Sequence, residues 1–298
     1  MLPEKQQVQR QALLISADEL AAALHEASAV PATGPLPLVI VDCRFNLLKP
    51  DAGRAAYLSG HIPGAWYADL DRDLSGPRGP QTGRHQLPDP ENLRLLFGRF
   101  GLGPGTRVVA YDEADGGLAA RLWWLLRWMG HRQVVLLDGG LAAWKNAGLP
   151  LSQAAPAPRH DFFHGQPGHM PVLHTDEIRA ALGEDAIRLL DVRSEERFQG
   201  RAEPIDPVAG HIPGALNVPF AGNLAADNRF QTAEHLAHRY APLIQGRESG
   251  QIVCMCGSGV TACHAIFALA LAGVPGVALY PGSWSEWIRS PDRPVAAG

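Results

Sequence analysis

The chain has 298 residues, a length that suggests two domains rather than one. Hydrophobic residues make up 46% and charged residues 19%, and the formal net charge of −4 excludes a global field that would recruit nucleic acid or an anionic membrane. No apolar run reaches the roughly 18 residues of a membrane span, and the polar segment 1–10 lacks an apolar signal core.

The cysteine content predicts free thiols. Of the four cysteines, three crowd into ten positions, which is not the spacing of a disulfide framework in a chain of this length: Cys43, Cys254, Cys256 and Cys263. We therefore expect a protein of the reducing cytoplasm.

In the first half of the chain, short apolar runs alternate with helical stretches. An acidic first turn predicts a helix over 16–24. The pattern then predicts strands near 38–42, 107–111 and 133–137, interleaved with helices near 91–99, 117–128 and 140–146. This alternation is typical of a mostly parallel sheet covered by helices on both faces, with its site at the carboxyl ends of the strands.

The second half repeats the first. The hexapeptide Gly60–Ala65 recurs verbatim as Gly210–Ala215. Three further pairs of similar segments occur in the same order along the two halves: 16–24 with 174–182, 38–44 with 188–193, and 139–144 with 282–287. A repeat of this length indicates tandem domains. We predict domains over 10–149 and 172–296, joined by a Pro-, Gly-, Ala- and His-rich linker over 150–171.

A candidate reactive cysteine, Cys256, closes the apolar run that begins at Ile252. It precedes a glycine-rich loop and a predicted helix over 264–272, and the field at a helix N-terminus favours the thiolate. Gly257 and Gly259 allow consecutive backbone N–H groups to turn inward around one point. The corresponding strand end in the first half carries Asp112, whose carboxylate would repel an anionic ligand.

Several motifs together identify a family. They are the two Gly-His-Ile-Pro-Gly-Ala segments, Leu137–Leu141 with Trp144, Cys256–Cys263, and Gly282–Trp284 with Trp287. On these motifs the chain, from about 12 to 295, resembles the two-domain rhodanese-type sulfurtransferases. The resemblance implies an α/β fold of two tandem rhodanese-like domains, each a mostly parallel sheet flanked by helices. It further implies a catalytic C-terminal domain, a catalytically silent N-terminal domain, and no metal or organic cofactor.

The resemblance also implies a reaction. The Cys256 thiolate takes a sulfane sulfur from a small anionic donor and becomes a persulfide. A nucleophilic acceptor such as cyanide or a thiol then attacks the persulfide and removes that sulfur. Backbone N–H groups of the following loop would stabilise the charge on sulfur, along Gly257, Ser258, Gly259, Val260 and Thr261. The Ser258 and Thr261 hydroxyls either add hydrogen bonds or serve loop polarity and helix capping. We expect a monomer without nucleic-acid or membrane partners.

The resemblance implies that the donor is 3-mercaptopyruvate or thiosulfate. Arg197 falls on the family arginine that binds the donor's anionic group, the alternative being a surface pair with Glu195 or Glu196. Mercaptopyruvate enzymes have a second arginine further along; here Arg201 is the candidate, and an acid occupies the nearest equivalent place. Thiosulfate-preferring members carry basic residues after the cysteine, whereas the Gly-Ser pair after Cys256 is the mercaptopyruvate pattern and tilts the expectation toward that donor.

The duplicated histidines have two interpretations. Repetition of His61 as His211 favours a structural role in holding the turn before proline in both domains. The resemblance adds a relay across Cys256, Ser258 and His61, since an N-terminal histidine is proposed to join such a relay in mercaptopyruvate enzymes. For His211 we expect the structural role alone.

Two other functions compete with sulfur transfer. A rhodanese-like phosphatase needs a Cys-x5-Arg loop, but the sixth position after Cys256 is Ala262, so phosphate would lack its main counter-charge. A redox-sensing or metal-binding module without turnover would use the thiols of Cys254, Cys256 and Cys263. No Cys-x2-Cys pair of the zinc type occurs in the sequence, and Cys254 and Cys263 fall inside the predicted strand and helix.

Overall fold

The computed structural model describes residues 12–28, 36–159 and 161–298, and these form two units. Described residues up to Ser75 belong to the first unit, together with Pro88–His169 and Ala226–Phe230. The second unit comprises Gly76–Leu87, Met170–Ala225 and Gln231–Gly298. The predicted start of the first domain, residue 10, lies outside the described residues.

The first unit is built on a five-stranded parallel sheet of order β1-β5-β4-β2-β3. Its central strands β2, β4 and β5 are buried nearly throughout, which explains why their sequences are continuous apolar runs rather than alternating ones. The strands are β1 (Leu14–Ile15), β2 (Leu38–Asp42), β3 (Ala65–Tyr67), β4 (Arg107–Tyr111) and β5 (Val134–Leu137).

Five helices flank this sheet, and the predicted alternation of strands and helices is confirmed. One helix has a clear start signal, because the Asp89 side chain accepts the N–H of Glu91 and Pro90 occupies the first turn. The helices are α1 (Ala17–Ser28), α2 (Asp51–Ser59), α3 (Pro90–Arg99), α4 (Ala119–Trp128) and α5 (Gly140–Asn146).

The second unit repeats this plan with a four-stranded parallel sheet of order β7-β6-β8-β9. Its strands are β6 (Arg188–Asp191), β7 (Leu216–Asn217), β8 (Ile252–Met255) and β9 (Ala278–Leu279). Its helices are α6 (Thr175–Gly183), α7 (Glu195–Phe198), α8 (Ala233–Ile244), α9 (Thr261–Leu271) and α10 (Ser283–Trp287). Among the described residues, no helix is long and apolar enough to cross a bilayer.

Equivalent strand ends are held by the same ion pair in both units. Arg44 Nη2 lies 2.7 Å from Asp42 Oδ2 and also donates to the carbonyl of Gly60. In the second unit Arg193 Nη2 lies 2.6 Å from Asp191 Oδ2 and donates to the carbonyl of Gly210. These buried pairs fix the start of the repeated hexapeptide relative to the end of the strand.

The two units are not the contiguous domains that the sequence predicts. The segment Gly76–Leu87 precedes α3 in the chain but belongs to the second unit, and Ala226–Phe230 belongs to the first. The predicted linker also packs on the first unit. Ser152 exchanges backbone hydrogen bonds with His61, and the carbonyl of Gly165 accepts the Nε–H of Arg94. A composition rich in Pro and Gly allows irregular backbone without preventing it from packing.

Candidate active site

Cys256 is the first residue after β8 and is only 2% exposed. Its backbone N–H donates to Ser283 Oγ over 3.1 Å, and its carbonyl accepts the N–H of Trp284 over 3.0 Å. The next carbonyl, that of Gly257, accepts the N–H of Ser285. The start of α10 therefore holds the backbone on both sides of the thiol.

Ser283 holds this arrangement together from a left-handed conformation, with φ of 52°. The residue is fully buried, and its hydroxyl donates to the carbonyl of Tyr280 while it accepts from Cys256. A non-glycine residue at positive φ is uncommon, and here the two hydrogen bonds retain it. The sequence marked Ser283 only as part of a motif; its role in orienting the reactive loop was missed.

The loop between Cys256 and α9 is short and closely packed. Gly259 has φ of 76°, and a Cβ there would lie 2.6 Å from the carbonyl oxygen of Pro281. Val260 precedes α9 and Thr261 is its first residue, so the helix begins three residues before the predicted His264. The N-terminus of α9 thus lies five residues after Cys256, close enough in sequence for the loop to bring its N–H groups toward the thiol.

A segment from the first half of the sequence, which we call the strap (Gly76–Leu87), packs against this loop. Its backbone is fastened at three points. The N–H of Arg84 donates to Ser285 Oγ over 3.0 Å, the N–H of Gly83 to Glu286 Oε2 over 3.4 Å, and the carbonyl of Thr82 accepts from Arg289 Nε over 3.3 Å. Sequence reasoning gave the strap no role.

The strap supplies a histidine to the reactive loop. His85 Nδ1 and Ser258 Oγ lie 2.8 Å apart and share a hydrogen bond, and both residues are buried, at 2% and 7% exposure. Ser258 stands two residues after Cys256. A hydroxyl paired with an imidazole at this position can accept or supply a proton.

The histidine that pairs with Ser258 is therefore not His61, the residue that the resemblance offered for a relay. His61 is fully buried, with Nδ1 on the carbonyl of Tyr57 (2.7 Å) and Nε2 on the carbonyl of Ala154 (3.2 Å), and its ring stacks on Tyr57. His211 behaves alike, with Nδ1 on the carbonyl of Phe198 and its ring stacked on Phe198. The ring nitrogens of both histidines contact backbone carbonyls, and the structure brings His85 rather than His61 to Ser258.

Arg197 lies at the site in a carboxylate cluster. Its guanidinium binds Glu203 through Nε and Nη2, at 2.9–3.1 Å, and Nη2 also lies 3.1 Å from Asp206 Oδ2. Burial by itself raises the pKa of Glu203, but hydrogen bonds from Arg197 and from the backbone of Asp206 and Ile205 outweigh it and lower the pKa. Arg197 therefore does not form the surface pair with Glu195 or Glu196 that the sequence left open.

A second guanidinium joins Arg197. Arg84, on the strap, makes a short ion pair with Asp206, so that one carboxylate bridges two arginines. A Cβ placed on Gly257 would lie 2.9 Å from Arg84 Nη2 and 3.3 Å from Arg197 Nη2. Both guanidiniums thus face the residue next to Cys256.

Arg201, the other candidate for donor binding, lies on the surface. Its side chain is 59% exposed and pairs with the equally exposed Glu195 over 3.3 Å. An exposed pair of this kind contributes little. Arg201 therefore pairs with a surface acid, whereas the second guanidinium of the buried cluster comes from the strap.

All four cysteines are free and buried. Burial raises the pKa of Cys43, with added repulsion from Asp42, and burial raises that of Cys254, with added effects of Cys263 and Cys256. Both thiols are therefore held in the unreactive protonated form. Within the described ranges, no three His, Cys, Asp or Glu side chains are grouped as metal ligands.

In the first unit, Asp112 takes the position that Cys256 has in the second. Its carboxylate accepts the backbone N–H groups of Gly116, Leu118 and Ala119 at 2.9–3.1 Å. Burial, together with repulsion from Asp115, nonetheless raises the pKa of Asp112 to about 6. The backbone N–H groups that could bind an anion in this loop are therefore already bound to the Asp112 carboxylate.

Comparisons with known proteins agree with this geometry. The rhodanese-like domain model matches residues 16–147 and 174–290. The chain is 50% identical over 289 residues to a probable 3-mercaptopyruvate sulfurtransferase of Pseudomonas aeruginosa (96% of this chain, 99% of the relative). It is 39% identical over 295 residues to a Mycobacterium tuberculosis protein named provisionally as a thiosulfate sulfurtransferase (96% and 97%). The solved structure of SseA from Escherichia coli, described among 3-mercaptopyruvate sulfotransferases, matches with a TM-score of 0.76 and 33% identity (92% and 99%).

Proposed function

Because the chain belongs to the rhodanese-like family and is a sulfurtransferase, we propose that it carries sulfur as a persulfide on Cys256. The observation that supports this most directly is the environment of that thiol. Cys256 follows a strand, precedes the N-terminus of α9, and stands beside two guanidiniums and the Ser258–His85 pair. A sulfur donor and a sulfur acceptor are the partners of this reaction.

In the first half-reaction, Cys256 Sγ attacks the transferable sulfur of the donor. With thiosulfate, the S–S bond breaks and sulfite leaves with its electron pair. With 3-mercaptopyruvate, the C–S bond breaks, the electron pair forms the enolate of pyruvate, and the proton of the donor thiol ends on carbon. The product on the enzyme is the same Cys256 persulfide. In the second half-reaction, cyanide or a thiol attacks its outer sulfur and restores the thiolate.

The proton requirement favours 3-mercaptopyruvate as the donor. Thiosulfate transfers its sulfur without moving a proton, whereas 3-mercaptopyruvate must lose a proton from sulfur and gain one on carbon. Ser258 and His85 Nδ1 share a hydrogen bond in a buried site, and such a hydroxyl–imidazole pair is suited to that transfer. Gly257 and Ser258 also stand where basic residues would assist a dianion.

The test compares kcat/KM for 3-mercaptopyruvate and thiosulfate, with cyanide as the acceptor. We expect turnover of both donors and a preference for 3-mercaptopyruvate. Mass analysis of the protein after donor treatment, without acceptor, should find one added sulfur on the Cys256 peptide. A preference for thiosulfate would overturn the donor assignment, and an added sulfur on another cysteine would overturn the role of Cys256.

We further propose that the first unit is catalytically silent. Asp112 has no nucleophilic sulfur, and its carboxylate accepts the backbone N–H groups that an anion would need. Sulfur transfer by the Cys256→Ser variant would contradict this assignment.

A further inference from the structure

We infer that the segment after α10, which we call the tail (Pro294–Gly298), positions α7 and thereby the guanidinium of Arg197 for the donor. The tail acts on the backbone of its neighbours rather than on the donor, so its residues are positioning residues. The inference rests on the proposed function and on Arg197, which the family resemblance implies as the residue that binds the donor's anionic group. Sequence reasoning gave the tail no role.

Arg197 stands on a helix that is too short to hold its own position. The helix α7 has four residues, none of them buried, and a helix of one turn is marginal in water without tertiary contacts. The guanidinium of Arg197 is nevertheless held in place, bound to Glu203 and 3.1 Å from Asp206 Oδ2. The position of this helix therefore depends on the contacts that its end makes with other segments.

The end of α7 is connected to the hexapeptide differently from the equivalent helix of the first unit. In the first unit α2 runs almost directly into the hexapeptide, and His61 Nδ1 contacts the carbonyl of Tyr57, four residues before it. In the second unit His211 Nδ1 contacts the carbonyl of Phe198 in the same way, but across thirteen residues. The additional residues form an irregular segment, the inserted loop (Arg201–Ala209). Because closing a loop costs conformational entropy, contacts that join its two ends are needed to fix α7.

The tail binds the chain on both sides of the inserted loop. Ala296 exchanges two backbone hydrogen bonds with His211, at 2.8 and 2.9 Å. The N–H of Gly298 donates to the carbonyl of Gln199 over 3.1 Å, at the end of α7. A Cβ on Gly210, the residue after the loop, would lie 2.3 Å from the carbonyl oxygen of Ala296. The tail therefore ties the end of α7 to the hexapeptide.

The tail is anchored to the core by a tryptophan, and the first unit has the same anchor. Trp287 Nε1 donates to the carbonyl of Pro294 over 2.8 Å, and Trp144 Nε1 donates to the carbonyl of Pro150 over 2.9 Å. Two residues after Pro150, Ser152 exchanges backbone hydrogen bonds with the histidine of the first hexapeptide. In the second unit this arrangement also joins the ends of the inserted loop. The first unit therefore supplies a matched control for each change to the tail.

Ala296→Pro tests the contact directly, since proline has no N–H to donate to the carbonyl of His211. We expect KM for 3-mercaptopyruvate to rise about fivefold, the loss typical of one hydrogen bond, with kcat within a factor of about two. Ser152→Pro removes the equivalent hydrogen bond in the first unit and should leave both constants unchanged. Equal KM values for the two variants would overturn the inference.

Trp287→Phe and Trp144→Phe make the same comparison without a change of backbone. Each variant loses one indole hydrogen bond and part of a fully buried ring, so the free energy of unfolding should fall by similar amounts in both. KM should rise several-fold in Trp287→Phe and stay unchanged in Trp144→Phe. A rise in both variants would mean that lost stability governs KM. That outcome, or a rise in neither, would overturn the positioning role.

A double-mutant cycle tests whether the tail acts through Arg197. In the Arg197→Gln background, Ala296→Pro should cause no further rise in KM, because the guanidinium that the tail positions is already absent. A further fivefold rise in the double variant would show that the tail acts on donor binding by another route, and would overturn the assignment.

Hydrogen exchange separates the inference from the proposed function. The N–H groups of Phe198 and Gln199 donate within α7, at 3.0 and 2.9 Å. They should exchange several-fold faster in Ala296→Pro than in the wild type or in Ser152→Pro, because the end of the helix opens more often. Unchanged exchange, or faster exchange with an unchanged KM, would overturn the inference. Faster exchange in a protein whose wild type takes sulfur from neither donor would overturn the proposed function alone.

Discussion

The loops after β4 and β8 are built alike and filled differently. In both, the residue after the strand accepts a backbone N–H from the short helix that follows the next strand: Leu141 to Asp112 at 2.9 Å, and Trp284 to Cys256 at 3.0 Å. In the first loop a carboxylate takes three backbone N–H groups for itself. In the first unit this loop binds a carboxylate of its own chain, and the proposed function assigns the equivalent loop of the second unit to the charge on the Cys256 sulfur.

A second difference concerns the left-handed residue at the start of that short helix. Gly140 has φ of 57°, and a Cβ there would lie 2.8 Å from the carbonyl oxygen of Asp112. Ser283 has nearly the same φ of 52° but accommodates a side chain, and uses it to bind the N–H of Cys256. The reactive loop therefore has one additional hydrogen bond at this point.

The largest expected effect comes from exchanging the deciding side chains. Cys256→Ser should lower kcat/KM by at least about 10³-fold, because an oxygen nucleophile cannot form the persulfide. Asp112→Asn should leave kcat/KM unchanged. Steady-state assays with cyanide measure both, and circular dichroism checks that each variant folds. Substantial loss in Asp112→Asn would show that the two loops are not separate in function.

The next effect distinguishes His85, which pairs with Ser258, from His61, which contacts backbone carbonyls. His85→Ala should lower kcat for 3-mercaptopyruvate about 10²-fold, the usual contribution of a proton-transfer group, with a much smaller effect on thiosulfate. His61→Ala should instead lower the free energy of unfolding by about 2 kcal/mol, since removal of the buried ring leaves a cavity and a backbone carbonyl loses its partner.

Urea titration measures the stability of both histidine variants. The interpretation is contradicted if His61→Ala affects kcat as strongly as His85→Ala, or if His85→Ala slows both donors equally.

A smaller effect is expected from a methyl group at Gly257. Its Cβ would press on Arg84 and Arg197, both flexible at their ends, so Gly257→Ala should raise KM several-fold while the fold persists. Gly250→Ala is the matched control, because nothing lies within 4 Å of a Cβ at that position. An unchanged KM in Gly257→Ala would mean that the two guanidiniums do not contact the donor.

The smallest effect concerns the pH dependence of the free energy of unfolding and leaves the activity unchanged. The pKa of Asp112 is raised on folding to about 6, so between about pH 4 and 6 the folded carboxyl keeps a proton that the unfolded one has lost. Stability therefore falls as pH rises through this window, on the order of 1–3 kcal/mol. Urea titrations at pH 4 and 7 should show this fall in the wild type but not in Asp112→Asn. Parallel curves for the two proteins would contradict it.

Sequence patterns predicted the fold because the burial of parallel strands is a local signal. The runs at β2, β4 and β5 are continuous and apolar, and the observed bounds differ from the predicted ones by at most one residue. The domain bounds predicted from the sequence are contiguous, whereas the two compact units are not. The strap has the Pro- and Gly-rich composition of an ordinary loop, and nothing in its sequence states which unit it joins.

For the candidate site, the sequence pointed to residues that lie close together in one motif and missed those that come from distant segments. Cys256 and Ser258 are candidates from one local motif. His85 was missed because it lies 173 residues from Ser258 and its own surroundings are unremarkable. Arg84 and Asp206 were missed for the same reason, since an ion pair between distant segments leaves no periodic signal in one sequence.

The strap has a consequence for how the protein is made. Synthesis delivers His85 to the folding chain 173 residues before Ser258, which at 5–20 residues per second is a delay of roughly 10 to 30 s. The residues that contact the strap, from Ser258 to Arg289, are synthesised only after that interval. Most of the first unit is already synthesised by then and can begin to fold. The strap is therefore already present when Cys256 is made, whereas α10, which holds the backbone on both sides of that thiol, is made after it.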